Sequence, residues 1–249
     1  MPRRAHAPPP PRAARRRMVD CHATTVVTFR LHRLVNTMDR AHKTYTECFN
    51  KFGNTLQALL IPKGRQQERF ASLTHYIKPN ESKTLLDFGC GLGHLQAFLS
   101  AHLPMIDYHG CDFVEGFVAQ SRINFPAGSF YHINQFSDVA DTYDYIVAAG
   151  VFNVLYCSSR NKHARLVCDI LQHLFQRANA ILSVNFMTDD VDYVLKNAYH
   201  QNIGQLLDFS RRVLTKRFVI DQSYMPYEFT IHLFKDAAIL RPDNVFRPS

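Results

Sequence analysis

The sequence predicts an α/β fold with a mostly parallel, doubly wound sheet of seven strands and an antiparallel closing hairpin. Short apolar strands alternate with amphipathic helices from residue 84 onward, which favours parallel pairing. A glycine-rich turn, residues 89–93, joins the first of these strands to the following helix. Two further strands, Arg217–Ile220 and Phe229–Phe234, flank the turn Met225-Pro226-Tyr227 and predict the hairpin.

The first half of the predicted domain contains four strands. A helix over 66–77, with Phe70, Leu73, Thr74 and Ile77 on one face, leads into it. The strands are Leu85–Phe88, Asp107–Cys111, Ser129–Ile133 and Tyr145–Val151. The helix after the glycine turn is marked by Leu95, Phe98 and Leu99, and the one after Asp112 by Phe117, Val118 and Ser121.

The second half begins with the most regular amphipathic helix of the chain. Ser158 and Ser159 are candidate N-caps for it, and its apolar stripe is Leu166, Val167, Ile170, Leu171, Leu174 and Phe175. A fifth strand, Ala180–Met187, precedes a helix that carries Leu206, Leu207, Ser210, Val213 and Leu214. The two hairpin strands complete the sheet.

Composition indicates one globular domain with appended segments. Of 249 residues, 46% are hydrophobic and 20% charged, enough to bury a sizeable core. Six arginines in the first 17 residues account for most of the net charge of +8, so the remainder is nearly neutral. The six scattered cysteines lack CxxC spacing and indicate reduced thiols in a cytoplasmic protein. No apolar run is long enough for a membrane span, and we expect no membrane partner.

The chain divides into four predicted segments. Residues 1–17 are a disordered basic Pro/Arg tail; a polyanion-binding arm, an organellar transit peptide and an over-long translation start remain alternatives. Residues 18–64 form an extension that we expect to cap the active site, with mixed helix and strand signals over 24–36 and a break at 62–64. Residues 65–236 form the ligand-binding domain, and residues 237–249 form a C-terminal tail.

The glycine turn and Asp112 together predict a nucleoside-binding site. Glycines allow a tight turn and a close approach of the main chain to a ligand. Asp112 ends the next strand, where a carboxylate can accept the hydroxyls of a ribose. A turn needed only for packing, with Asp112 capping a helix, is the alternative. Gln96 replaces the third glycine of a dinucleotide-binding loop, and the Gly-Lys-Ser/Thr ending of a phosphate loop is absent.

Four segments resemble the motifs of class I S-adenosylmethionine-dependent methyltransferases, a Rossmann-like family. They are LLDFGCGLG (85–93), CDFVEGFVAQSR (111–122), DYIVAAGVFNVL (144–155) and the hairpin over 217–234, within a resemblance that covers roughly residues 63–235. AAGVFNV, NFMTDDVDY (185–193) and YMPYEFTIHLF (224–234) are similar to a bacterial subgroup found in biosynthetic gene sets for glycans or other small metabolites. In that subgroup a segment with a tryptophan precedes the domain. The corresponding segment here is KGRQQERF (63–70), which has no tryptophan.

The resemblance implies S-adenosylmethionine as cofactor and a role for each matching residue. Asp87 anchors the glycine loop near the methionine amine, and Asp112 takes the ribose hydroxyls. Arg69 pairs with the cofactor carboxylate, although a surface arginine is an equal alternative. The resemblance further implies that Gly89, Gly91 and Gly93 leave space for the methionine and ribose parts of the cofactor. Phe113 would stack on the adenine, and Gln135 and Phe136 would border its edge. The residues beneath the sulfonium would be Gly150, Val151 and Phe152.

The acceptor side is less specified by the sequence. Loops after residues 151, 187 and 223 should face the acceptor, since sites in such sheets lie at the carboxyl ends of the strands. Glu228 with Tyr227 is the predicted general base for methyl transfer to oxygen. The histidines show no metal-ligand spacing, so no metal is expected, and His42, His163 and His200 are interpreted as surface or core residues.

The expected function is methyl transfer to a small-molecule acceptor by a monomer or homodimer. Nucleic acid is disfavoured because AGVF stands where base methyltransferases carry Asn/Asp-Pro-Pro-aromatic. Three alternatives stay open. One is intramolecular displacement that releases methylthioadenosine, another is RNA or protein methylation guided by the basic tail, and the third is a non-catalytic interaction module.

Overall fold

The structure is a computed structural model that describes residues 31–60 and 65–235, with side chains described from residue 41 onward. The predicted tails, the segment before residue 31 and the predicted break at 62–64 lie outside the described residues. The helices are α1 (Leu31–Phe52), α2 (Gln66–Thr74), α3 (His94–His102), α4 (Glu115–Asn124), α5 (Arg160–Arg177) and α6 (Ile203–Phe209). The strands are β1 (Lys83–Phe88), β2 (Ile106–Asp112), β3 (Ser129–His132), β4 (Tyr143–Ala148), β5 (Ala178–Met187), β6 (Phe218–Asp221) and β7 (Glu228–Phe234).

These strands form one sheet in the order β3-β2-β1-β4-β5-β7-β6. The first five pair in parallel, and β7 lies antiparallel between β5 and β6. The predicted fold class, including the closing hairpin, is therefore confirmed. The strand order reverses between β1 and β4, and the crevice at the carboxyl ends of these strands is the ordinary ligand site of such sheets.

Both faces of the central strands are buried under helices. Leu86 and Ile146 face the apolar cluster formed with α5, whereas Leu85 and Tyr145 face the cluster formed with α2 and α3. Ser159 caps α5 as predicted, accepting a hydrogen bond from the main-chain nitrogen of Lys162. This packing on two faces explains the nearly continuous apolar runs of β1 and β4.

The outer part of the sheet has a polar face instead. Alternate residues of β5 and β7 place Asn185 opposite Thr230 and Ser183 opposite His232, and all four are buried. Helix α2 contacts β5 and β7. This helix ends at Thr74, three residues before the predicted end. The four residues of its predicted apolar face are all buried.

The segment before the sheet is largely helical where the structure describes it. Phe49 of α1 contacts Phe117 edge to face, with ring centroids 5.3 Å apart, and lies against Gly116 of α4. A short 3-10 turn over Leu56–Leu59 follows α1. Across 31–60 and 65–235, no helix is long and apolar enough to cross a membrane. Cys48, Cys90, Cys111 and Cys157 are free thiols.

Candidate cofactor and acceptor site

A cavity of about 730 Å³ lies at the carboxyl ends of β1, β2 and β4. We call one part of its wall the cofactor end, made by Asp87, Gly89, Gly91, Asp112, Phe113, Gly150 and Val151. The other part is the acceptor end, made by Leu60, Asn153, Val154, Met187, Val191, Asp192, Tyr193, Leu195, Lys196, Asn197, Ala198, His200, Tyr227 and Glu228. Tyr45 and Leu59, which precede the sheet, also line it.

The glycine turn takes the positive φ angles that the sequence suggested. Gly89, Gly91 and Gly93 have φ of 77°, 55° and 77°. Gly89 and Gly91 line the cavity, whereas Gly93, the third glycine of the predicted cofactor contact, lies outside its lining. A Cβ on Gly93 would meet the rings of Phe125 and Phe130 at 2.9–3.0 Å, which makes this glycine a packing requirement at the start of α3.

Asp112 is fixed by the main chain at the end of β2. Its Oδ2 accepts the N–H of Gly91 and its Oδ1 accepts the N–H of Val114, both at 2.9 Å. Burial raises its pKa to about 6, although these main-chain donors oppose the shift. A carboxylate has about four lone-pair sites. Two acceptor sites therefore remain for a pair of hydroxyls.

Asp87 presents a buried oxygen that lacks a partner. Its Oδ2 accepts a hydrogen bond from the hydroxyl of Tyr108 at 2.9 Å, while its Oδ1 has no hydrogen-bond partner among the described residues. Burial raises its pKa to about 7. An unsatisfied buried acceptor costs about 1–3 kcal/mol, and a cationic ligand would offset that cost. The observation fits the ammonium group that the resemblance places here.

The predicted adenine residues fall into two groups. Phe113 lines the main cavity, and its ring contacts those of Tyr45 and Tyr156 edge to face. Gln135 and Phe136 do not line the main cavity but a small adjoining cleft, which shares Asp112 and Phe113 with it.

The motif over 144–155, which contains the end of β4, contributes two residues to the cavity wall and one to the core. Gly150 has a φ of 70°, and both it and Val151 line the cavity. Phe152 is completely buried and stacks on Phe186, with ring centroids 5.4 Å apart. Of the three residues predicted beneath the sulfonium, Phe152 is thus the one whose side chain packs into the core.

Arg69 and Glu228 form a buried ion pair between α2 and β7. Arg69 Nε donates to Glu228 Oε2 at 2.6 Å and Nη2 donates to Oε1 at 2.5 Å. Asn185 donates a further hydrogen bond to Oε2 at 3.1 Å. The surface alternative for Arg69 is wrong, since the residue is only 6% exposed. Its Nη1 lies 3.7 Å from where a Cβ on Gly150 would be, beside the cofactor end.

This ion pair changes the interpretation of Glu228. A general base needs a lone pair directed at the proton it takes. Both oxygens of Glu228 already accept hydrogen bonds from a guanidinium, and Asn185 adds another. Tyr227, its proposed helper, is 42% exposed and donates its hydroxyl to Asp192 at 2.9 Å. Glu228 and Tyr227 both line the acceptor end. The hydrogen bonds of Glu228, however, indicate that it serves as the ion-pair partner of Arg69.

Sequence reasoning missed His200, which it assigned to the surface or core. His200 lines the acceptor end. Its Nδ1 donates to the carbonyl of Thr188 at 2.8 Å, and its Nε2 is buried with no hydrogen-bond partner in the part of the chain that the structure describes. No sequence signal marks it, because its position depends on a bridge between Thr188 and Gln201. His163, in contrast, is a core residue as predicted, and burial lowers its pKa to about 4.

The geometry fits S-adenosylmethionine. Asp112 has free acceptor sites for the ribose hydroxyls, and Asp87 has an unpartnered carboxylate oxygen for the ammonium group. Gly89 and Gly91 have no side chains to fill the cavity beside these carboxylates. No group of three or more His, Cys, Asp or Glu side chains suited to a metal occurs among the residues described.

Comparisons with known proteins agree with this site. A methyltransferase domain family matches residues 86–215. Methyltransferase Rv1506c of Mycobacterium tuberculosis is 28% identical over 150 residues, which cover 58% of this chain and 89% of that protein. A ribosomal RNA small subunit methyltransferase C of Vibrio parahaemolyticus is 30% identical over 111 residues, 43% of this chain and 33% of that protein. The chain thus aligns with only a third of the latter relative.

Solved structures show the same fold. Magnesium protoporphyrin IX methyltransferase of Synechocystis PCC 6803, with bound S-adenosylhomocysteine, superposes with a TM-score of 0.56 at 13% identity, covering 80% of this chain and 96% of that one. The pyocyanin biosynthetic protein PhzM gives a TM-score of 0.55 at 13% identity, covering 77% and 62%. The chain belongs to the methyltransferase domain family and is a class I S-adenosylmethionine-dependent methyltransferase.

Proposed function

We propose that this methyltransferase acts on a small-molecule acceptor. The observation that carries the proposal is a single cavity of about 730 Å³ that joins the cofactor end to an acceptor end with many apolar residues. Sites for small molecules have volumes of about 300–1,000 Å³ and mostly apolar walls with a few polar groups. The acceptor end matches that description.

The residues of the chain supply binding and orientation. S-adenosylmethionine supplies, when bound, a methyl group on a positively charged sulfur. Asp112 holds the ribose hydroxyls, Asp87 receives the ammonium group, and Arg69 directs Nη1 to the carboxylate. Gly150 and Val151 form part of the wall of the cofactor end. Holding the acceptor in line with the methyl group accounts for much of the rate in such a reaction.

Ribosomal RNA is the second candidate acceptor, favoured by the names of several relatives. The charge of the site supports the small molecule instead. Arg65, Arg69 and Lys196 are the cations that line the cavity, and Arg69 is neutralised by Glu228. Proteins that bind RNA ordinarily present a more extensive basic surface. The similarity to a biosynthetic subgroup further supports a bacterial biosynthetic pathway as the setting.

Fractionation of the acceptors tests this proposal. Purified protein is incubated with methyl-labelled S-adenosylmethionine and either the low-molecular-weight fraction of a bacterial extract or total bacterial RNA. We expect label in the small-molecule fraction, unchanged by ribonuclease. Label only in ribonuclease-sensitive material would contradict the proposal and favour RNA.

A further inference from the structure

We propose that His200 Nε2 is the general base of the reaction and that the acceptor is a phenolic hydroxyl compound, an inference that rests on the proposed function. The proposal follows from how the backbone holds this histidine, from its unpartnered nitrogen, and from the aromatic and aliphatic side chains around the opening of the cavity.

A rigid backbone segment presents His200 to the cavity. Ala198 and Gln201 form isolated β-bridges with Val154 and Thr188, and residues 197–201 hydrogen-bond to the loop after β4 on one side and to the end of β5 on the other. Tyr199 turns into the core, with its ring 4.2 Å from that of His163. Neighbouring residues of extended backbone point to opposite sides. Ala198 and His200 accordingly line the cavity.

The hydrogen bonds of His200 define its tautomer. Because Nδ1 contacts the carbonyl oxygen of Thr188, the neutral ring carries its proton on Nδ1 and a lone pair on Nε2. That lone pair has no partner within the described chain and is covered by its surroundings. An incoming hydroxyl that displaces a covering side chain supplies the missing partner. This arrangement, with one nitrogen oriented by a carbonyl and the other available, suits a general base.

Three other candidate bases that line the cavity, Glu228, Tyr227 and Tyr156, already make hydrogen bonds. Glu228 is held in its ion pair, and the hydroxyl of Tyr227 donates to Asp192. The hydroxyl of Tyr156 donates to a main-chain carbonyl, and burial raises its pKa well above the ordinary value. Among these four residues, His200 is the one with a proton-accepting atom that has no hydrogen-bond partner within the described residues.

The acceptor class follows from acidity and from the rim of the cavity. An imidazole takes a proton far more readily from a phenol than from an aliphatic alcohol, because the phenol is the stronger acid. We define the rim as Leu60, Tyr193, Leu195 and Tyr227, large apolar side chains that are all exposed. Exposed apolar groups clustered around an opening indicate a binding surface, and aromatic side chains pack well against another ring.

The proposed step balances as follows. The acceptor oxygen gives an electron pair to the methyl carbon, and the bond from that carbon to sulfur breaks with its pair on sulfur. The hydroxyl proton passes to His200 Nε2, so the ring becomes an imidazolium that later releases the proton to water. The products are a methyl ether and S-adenosylhomocysteine.

The test uses His200→Asn, whose amide nitrogen can still donate to Thr188 while Nε2 is removed. His200→Gln serves as a second variant, and His102→Asn, on an exposed residue outside the cavity, is the matched control. Each full-length protein is titrated with S-adenosylhomocysteine by calorimetry. The complexes are then mixed with 4-nitrophenol, and the phenolate absorption is followed at a pH where the free phenol is mostly protonated. Methylation rates are measured with phenols graded from 4-methylphenol to 4-nitrophenol.

We expect all variants to bind S-adenosylhomocysteine like the wild type. Wild type and His102→Asn should raise the phenolate fraction of bound 4-nitrophenol, whereas both His200 variants should not. Loss of a general base should slow methylation of 4-methylphenol by about 10²–10⁴-fold, and less for 4-nitrophenol. Equal rates and phenolate fractions in His200→Asn overturn the role of His200, and a wild type that methylates only amines, or no phenol, overturns the acceptor class. Failure of the wild type to bind S-adenosylhomocysteine would instead refute the proposed function.

Discussion

Asp112, at the cofactor end, is held by main-chain N–H groups, whereas Glu228, at the acceptor end, is held by side chains from distant segments. Asp112 accepts N–H groups from Gly91 and Val114, the latter only two residues away. Glu228 is held by Arg69, 159 residues earlier in the chain. The main-chain contacts of Asp112 do not depend on the identity of a neighbouring side chain, while the contacts of Glu228 can be broken by a single substitution.

Breaking the Arg69–Glu228 pair is expected to have the largest effect. Arg69→Met leaves a carboxylate buried without its cation and should lower the free energy of unfolding by about 3–5 kcal/mol. Arg69→Met with Glu228→Gln should recover part of that loss, since no unpaired charge remains. Urea unfolding measures both, and Arg65→Met, at an exposed residue beside α2, is the control. A loss similar to that of the control would show that the pair does not stabilise the fold.

Removing the charge of Asp112 tests the cofactor end. Asp112→Asn should weaken binding of S-adenosylhomocysteine by about 10–100-fold, because hydrogen bonds to a charged group contribute about 1.5–3 kcal/mol. Asp107→Asn, on an exposed residue of the same strand, should leave the affinity unchanged. Calorimetric titration compares the two. Equal affinities in the two variants would exclude Asp112 from the ribose site.

The pH dependence of stability separates the ends further. The folded-state pKa of Asp87 is raised to about 7, so its protonated form is favoured by folding. Its contribution to stability is complete below about pH 4 and is lost as the pH rises towards 7, by about 1 kcal/mol per pH unit. Asp87→Asn should flatten this part of the profile, whereas the exposed Asp141→Asn should not. Urea unfolding between pH 4.5 and about 7.5 measures the free energy of unfolding of each protein. Parallel pH profiles for wild type and Asp87→Asn would contradict the raised pKa of Asp87.

The smallest effect on stability is expected at the rim. Tyr193 is 73% exposed, and Tyr193→Ala should change the free energy of unfolding by no more than about 0.5 kcal/mol. Binding of S-adenosylhomocysteine should also stay unchanged, while KM for the acceptor rises. Kinetics with the identified acceptor and calorimetry measure these quantities. A large loss of cofactor affinity would show that the two ends are not independent.

The same difference explains what the sequence could predict. Short apolar runs predicted the strands and the closing hairpin, and period-3.6 patterns predicted the helices. The glycine turn with positive φ angles follows from residues close in the chain. Adjacency in a motif does not determine which way a side chain points, so the sequence could not predict that Gly93 and Phe152 pack against core side chains. The Arg69–Glu228 pair and the position of His200 depend on contacts between distant segments, for which a single sequence carries no local signal.

The most direct test of methyl transfer is the identity of the adenosyl product. Purified protein is incubated with S-adenosylmethionine and a host-cell metabolite extract, and the products are followed by mass spectrometry. We predict S-adenosylhomocysteine together with a new compound that is one CH₂ group heavier than a component of the extract. Methylthioadenosine formed even without extract would contradict methyl transfer, because it requires cleavage of the bond between sulfur and the aminobutyrate chain.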